Sequence, residues 1–373
     1  MNFRHLGLAL VFSAALAACG GGDSGPTLKR VVSFGDSLSD LGAYSPATSL
    51  AGTGAAPFFG GRFTTNSHTG YTAASNTNTA TVWVEWIAAT LGVPISPHEA
   101  GFLGQSLKCP AAPSPAAAAA FPLLADTCTG YGMGGSRVTD ANGIGKSGGA
   151  LTVPMVTQVA NHQTRFGNFR DSDLVLVYGG NNDVFVQFGA VGAGLPVATA
   201  TANVQAAATE LAALVKDQIL AKGATHVAVM NLPDSSLTPF GATLTANGQA
   251  LLSSLSAAFN TSLDAALAGA AVHMIDARAL SADARSNPAK YGLANVTVPT
   301  CDAAKISAIT AGRVTDGSSL FCNSAAGQAF NGIRTGADVN TWLFADGVHP
   351  TVKGHKVFAD AVIADLRAFG WIK

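Results

Sequence analysis

Charge is what this sequence has least of. Only 12% of its 373 residues are Asp, Glu, Lys or Arg, about half the usual share, and the formal net charge is −1. So balanced a chain does not gather nucleic acid or an anionic membrane surface by bulk electrostatics. Cysteines are also few. There are five, with no C-x-x-C pair and no set of histidines spaced to join them, which argues against a bound structural metal. The apolar run near the start, Leu6 to Ala15, is too short to span a bilayer comfortably. No internal repeat and no boundary to a second domain is visible.

What the chain does have is apolar bulk. Hydrophobic residues make up 48%, ample for a large core in one or two domains. The 42 glycines suit tight turns between regular elements. Runs such as Leu174 to Tyr178 are too frequent for disorder. The beginning of the chain reads as a targeting segment. Arg4 supplies a positive charge, the apolar run follows, and Leu16-Ala17-Ala18-Cys19 precedes Gly20-Gly21-Gly22. This pattern resembles the bacterial lipobox, in which Cys19 becomes the lipidated first residue of an exported lipoprotein. Gly20, in place of the Asp that often retains such proteins at the inner membrane, points to the outer membrane, facing the periplasm or the cell surface. The expected organisation is a signal peptide over 1–18, a flexible tether over 19–27, and one domain over 28–373.

Four cysteines then remain: Cys109, Cys128, Cys301 and Cys322. An even number in an exported chain points to two disulfides. Of the three connectivities, Cys109–Cys128 with Cys301–Cys322 is preferred, because each pair brackets one local loop. Each closure would contribute about 3 kcal/mol in the chain-entropy model.

Along the domain, apolar strands are expected at 29–34, 173–178, 226–232 and 272–276. Helical spacing marks 82–91, 154–166, 198–221, 247–267, 277–285 and 351–369. Strands alternating with helices imply a parallel sheet covered on both faces. Residues 43–80 and 286–340 read as irregular, and 110–122 as a Pro/Ala-rich insert. Trp83 and Trp86 fall at core spacing within 82–91. Sites in such folds form where loops leave the carboxyl ends of the strands.

Several loops there carry chemistry. Gly35-Asp36-Ser37 places a serine on a tight turn directly after the first strand, where its own N–H, near a helix start, can face an oxyanion. Asp346-Gly347-Val348-His349 sets a carboxylate three residues before a base, the pair that an ester-cleaving serine needs. Asn182, just after the buried strand 173–178, offers an amide donor to developing negative charge. Gly134-Gly135 offers a main-chain N–H with no side chain in the way. Asp36 is read as support for the serine turn. Phe185 and Phe188 are read as core rather than as an acyl pocket. His68, His98, His162, His226, His273 and His355 lack any partner pattern and read as packing or surface residues.

In this order the segments resemble the GDSL, or SGNH, hydrolase family of esterases and lipases. The first block matches Phe34-Gly35-Asp36-Ser37-Leu38-Ser39-Asp40, the second Tyr131 to Ser136, the third Gly180-Asn181-Asn182-Asp183, and the fifth Asp346 to Pro350. Gly61-Arg62-Phe63 and 82–92 resemble the stretch that usually follows the first block. The resemblance implies a flavodoxin-like three-layer α/β/α sandwich with a parallel central sheet, no metal and no cofactor. It implies Ser37 as nucleophile, His349 as general base and Asp346 as its orienting carboxylate. The oxyanion would be held by the Ser37 N–H, the Gly135 N–H and the Asn182 side chain, and an acyl-enzyme would form. Two positions depart from the pattern. Ala43 follows Gly42 where relatives often carry Asn, and Gly130 opens the second block in place of Asn. The substrate implied is a small-molecule or lipid ester. Phospholipid acyl transfer and carbohydrate deacetylation run on the same triad, and a non-catalytic surface binding lipoprotein is the alternative outside enzymes.

Overall fold

The computed structural model describes residues 25–49, 58–72, 76–109 and 127–373. The signal peptide, Cys19, most of the tether and all of the 110–122 insert lie outside the described residues.

Two strands form the frame. β1 (Arg30–Gly35) and β4 (Asp173–Tyr178) pair in parallel and in register, from Arg30 opposite Asp173 to Gly35 opposite Tyr178. Every residue of both is buried, so both faces of the sheet are covered, and continuous apolar sequence is the consequence. β5 (His226–Met230) and β6 (His273–Ile275) extend the sheet in parallel, in the order β1-β4-β5-β6. The outer edge of β1 is covered by residues 129–133, which run alongside it. Ser33 N–H donates to Thr129 O (2.9 Å), Tyr131 N–H to Ser33 O (2.8 Å) and Met133 N–H to Gly35 O (3.2 Å). A side chain at Gly130 would meet Leu41 Cδ1 at 2.3 Å. That close approach accounts for glycine where the family usually carries Asn. β2 (Glu99–Phe102) and β3 (Gln105–Lys108) form a separate antiparallel hairpin, which sequence reading did not anticipate.

Helices flank the sheet. α1 (Trp83–Thr90) and α6 (Ala277–Ser286) pack on α7 (Val352–Ala368), and α2 (Met155–Phe166) packs on β1. α3 (Asn181–Gly192), α4 (Val197–Leu214) and α5 (Ala246–Leu267) pack on one another. The long helix expected over 198–221 breaks up after α4. A π turn at Val215–Ile219 and a tight turn at Leu220–Lys222 end on Gly223 in the left-handed region. The wide turn keeps Val215 and Ile219 both buried. Asn181-Asn182-Asp183 form the first turn of α3, behind Gly180 (φ 114°).

Both preferred cysteine pairs are close enough to bond, with Cα separations of 6.2 Å for Cys109–Cys128 and 6.1 Å for Cys301–Cys322. Of the unassigned histidines, His68, His98, His162 and His355 are buried, while His226 and His273 pack against Trp371.

At the far end of β1 and β4 lies a buried, two-pronged ion pair. Arg30 Nε and Nη2 donate to the Asp173 carboxylate at 2.8 and 2.6 Å, and both side chains are almost fully inaccessible. Removing one partner leaves an uncompensated charge between the strands. Asp173→Ala should therefore lower unfolding free energy by about 3–5 kcal/mol in denaturant melts, and Arg30→Met with Asp173→Leu should recover most of it. A loss below about 1 kcal/mol for the single variant would show that the pair does not hold the register.

Candidate active site

β1 ends at Gly35, and the chain turns at once. Asp36 caps the turn Ser37–Ser39 by accepting the Leu38 N–H at 3.1 Å, and its other oxygen accepts from Asn181 Nδ2 at 3.0 Å. Burial raises the Asp36 pKa. The expected supporting role is thus a hydrogen-bonded tie between the ends of β1 and β4. Gln158, on α2, brackets the same turn: Oε1 accepts the Gly35 N–H at 2.9 Å and Nε2 donates to Gly35 O at 2.8 Å.

Ser37, His349 and Asp346 come together, although Ser37 and His349 are 312 residues apart in sequence. His349 Nε2 lies 2.8 Å from Ser37 Oγ, and Nδ1 lies 2.9 Å from each Asp346 oxygen. A carboxylate only accepts, so Nδ1 carries the proton and Nε2 receives the Ser37 hydroxyl. Asp346 is buried and well supplied with donors. Oδ1 accepts the N–H groups of Val348 (3.0 Å) and His349 (2.8 Å), and Oδ2 accepts the Ser319 N–H (2.8 Å). Burial would raise its pKa, but the nearby imidazole and these donors outweigh burial and hold the carboxyl well below the usual range. For His349, burial favours the neutral ring, yet the charge and hydrogen bond of Asp346 more than reverse this and lift its pKa above 6.5. Phe63 covers the imidazole, with ring centroids 4.8 Å apart.

Three candidate donors, the Ser37 N–H, the Gly135 N–H and Asn182 Nδ2, belong to residues that border the same cavity. The Ser37 N–H has no acceptor among the described residues. The Gly134 N–H is taken by Asp40 Oδ2 at 2.8 Å, whereas the Gly135 N–H has no acceptor among the described residues. Gly135 has φ +77°, and a Cβ there would meet Ile144 O at 2.0 Å, so both conformation and space require glycine. Asn182 Nδ2 donates one hydrogen to Ser136 O at 2.8 Å, which leaves the second hydrogen unused. Ser37, Gly135, Asn182 and His349 all border one cavity of about 590 Å³. Its other walls are largely apolar and include Phe63, Phe102, Phe185, Phe240, Leu320 and Phe321. Phe185 thus packs against the core, as expected, and also lines the cavity. Phe188, one turn on, packs toward Phe240.

The tie at Asp40 escaped sequence reading. One oxygen accepts the N–H groups of Gly42 (2.8 Å) and Ala43 (2.6 Å), the other that of Gly134. Burial, opposed by these donors, pushes its pKa to about 6. Asp183 fixes the other flank, accepting from Arg137 Nε at 2.9 Å and from the Val138 N–H at 3.0 Å. Both acids stand inside the matched blocks, and that position was the available signal. The Ser319 donation comes from main chain in an irregular loop and had no sequence signal.

With this geometry in view, the comparison with known families is informative. The profile described as GDSL-like Lipase/Acylhydrolase matches residues 31–362. The chain therefore belongs to that family, and its α/β architecture with a central parallel sheet agrees. No curated protein matches the chain.

The Asp346 contact has a measurable consequence apart from turnover. In an NMR titration the His349 ring should show a pKa raised above that of a free imidazole, and Asp346→Asn should lower it, because burial is then opposed only by the more weakly acting charges of Asp36 and Asp316. An unchanged pKa in the variant would mean that Asp346 does not set the ionisation of this ring.

Proposed function

We propose that this member of the family is a serine esterase of the lipase type, in which residues 28–373 form the catalytic domain and Ser37, His349 and Asp346 form the triad. The 2.8 Å contact between Ser37 Oγ and His349 Nε2 carries the reading. His349 Nε2 takes the hydroxyl proton as Ser37 Oγ bonds to the ester carbonyl carbon, and Asp346 stabilises the imidazolium. The carbonyl oxygen becomes an oxyanion and receives hydrogen bonds from the Ser37 N–H, the Gly135 N–H and Asn182 Nδ2. When this intermediate collapses, the C–O bond to the alcohol breaks and His349 returns the proton to the leaving oxygen. Water then attacks the acyl-enzyme with His349 again as base, and the carboxylic acid leaves.

Substrate preference follows from the walls. A cavity of about 590 Å³ lined by phenylalanines suits an apolar acyl chain of several carbons far better than an acetyl group, whose burial uses little of that surface. The chain is an exported lipoprotein held at the membrane by lipid on Cys19, a reading supported by Leu16-Ala17-Ala18-Cys19. Among the described residues no helix is long and apolar enough to cross a membrane.

A p-nitrophenyl ester series from acetate to palmitate tests the chemistry. Wild type should prefer intermediate chains. Ser37→Ala should abolish turnover, and Asn182→Ala should lower kcat by roughly a hundredfold or more with less effect on binding. Activity surviving in Ser37→Ala would sink the triad, and a clear acetate optimum would favour a deacetylase. Fractionation of cells expressing Cys19→Ala tests the anchor. The variant should leave the membrane for the soluble fraction, and sedimentation unchanged from wild type would rule the anchor out.

A further inference from the structure

A second, smaller chamber of about 110 Å³ lies behind the catalytic cavity. The two share a wall of Leu38, Pro233, Thr238 and Val348. Leu38 and Val348 directly adjoin Ser37 and His349 in sequence. The chamber's lining is mostly apolar, including Trp83, Leu280, Phe344 and Phe358. Its polar lining includes two arginines in different states. Arg278 Nη2 is paired with Asp234 at 3.1 Å. Arg285 Nη1 donates only to the carbonyl oxygens of Leu237 and Val296, so its charge has no acidic partner among the described residues. Burial also pushes the Arg285 pKa down, a cost that a bound anion would relieve.

An independent feature marks the same space. His355 is a lining residue, 1% exposed, and its Nε2 has no hydrogen-bond partner among the described residues. Its ring is held by the main chain of Phe63, the residue whose side chain covers His349. A buried polar atom left unmatched carries a desolvation cost, and the chamber lies beside it.

We propose that this chamber is a binding site, separate from the catalytic cavity, for a short-chain carboxylic acid whose alkyl tail fills the apolar space and whose carboxylate pairs with Arg285. An engineered cavity of about 150 Å³ accepts benzene. A chamber of about 110 Å³ therefore takes a tail of about four to six carbons once the carboxylate sits at its mouth. The acid is the product class of the proposed esterase, so occupancy would act on the wall beside Ser37 and His349. The esterase reading supplies only the ligand's source. The binding itself stands on the chamber.

Titration of the full chain with 6-bromohexanoate, followed by tryptophan fluorescence, tests this. Saturable quenching is expected, because the bromine reaches Trp83. Arg285→Gln and Ala361→Leu, both at half-buried positions, should each weaken it at least tenfold, the first by removing the charge and the second by filling the chamber. The neutral 6-bromohexan-1-ol should bind wild type at least tenfold more weakly than the acid. Quenching should persist when Ser37 carries a serine-reactive alkyl phosphonate. The proposal is overturned by absence of saturable quenching, by quenching indifferent to both substitutions, by equal binding of alcohol and acid, or by loss of quenching on phosphonylation. Failure of Ser37 to react with the phosphonate would count against the esterase reading alone, because the two substitutions still decide the chamber.

Discussion

The in-register parallel pairing of β1 with β4 is the constraint on which the rest of this molecule depends. Gly35 and Tyr178 end their strands side by side. The loop that leaves each strand therefore emerges at the same edge, one carrying Ser37 and the other Asn182. Residues 129–133 run parallel to β1 on its outer side, which brings Gly135 to that edge as a third neighbour. Groups far apart in sequence thus become adjacent through three parallel segments that stop at one level. A slip of one residue would part Arg30 from Asp173 and would shift Ser37 relative to Gly135 and Asn182.

A chain with so little charge spends much of it on fixing this edge. Asp36 ties the turn after β1 to Asn181, Asp40 ties the first block to Gly134, Asp183 ties α3 to Arg137 and Val138, and Asp346 gathers three main-chain N–H groups besides its imidazole. All four carboxyls are buried. Burying a carboxylate is costly unless donors surround it, and the donors here are mostly main-chain N–H groups of glycine-rich turns. The opposite shifts of Asp40 and Asp346 show how the balance is decided. Asp40 has donors and only a weak pull from the Arg62 charge, and burial wins. Asp346 has donors and an adjacent imidazole, and burial loses.

Much of this was legible in the sequence because it rests on local pattern. Leu174–Tyr178 is an unbroken apolar run and reads as a strand covered on both faces. The serine turn, the Asn182 block and the Asp346–His349 turn each carry their own residue types, and the family resemblance joined them. Less legible were features whose cause is tertiary. Asn181-Asn182-Asp183 favours a turn locally, yet packing of Val184 beneath it draws it into α3, whose Phe185 packs against the core and also lines the cavity. The hairpin at 99–108 has no strong alternation to announce it. The Ser319 donor is a main-chain group in a stretch whose position is fixed by Cys301–Cys322 and by Asn66, whose side chain donates to the carbonyls of Ser319 and Cys322. No residue type at 319 encodes that contact.

That loop also explains why reaction and specificity differ so much in how far sequence reveals them. Ser319 holds Asp346 through its N–H, while the next two residues, Leu320 and Phe321, line the cavity. The loop is bound in turn to the segment around Phe63, through the Gly61 N–H to Leu320 O and Asn323 Nδ2 to Phe59 O, and Phe63 covers the His349 ring. The cavity wall at Leu320 and Phe321 and the scaffold around Asp346 and His349 are therefore one hydrogen-bonded body. A change in loop packing that widens the cavity also moves a donor to Asp346 or the ring over His349. Pocket shape in this protein cannot drift freely while the triad stays fixed, and the local disulfide at Cys301–Cys322 restrains the loop where both functions meet.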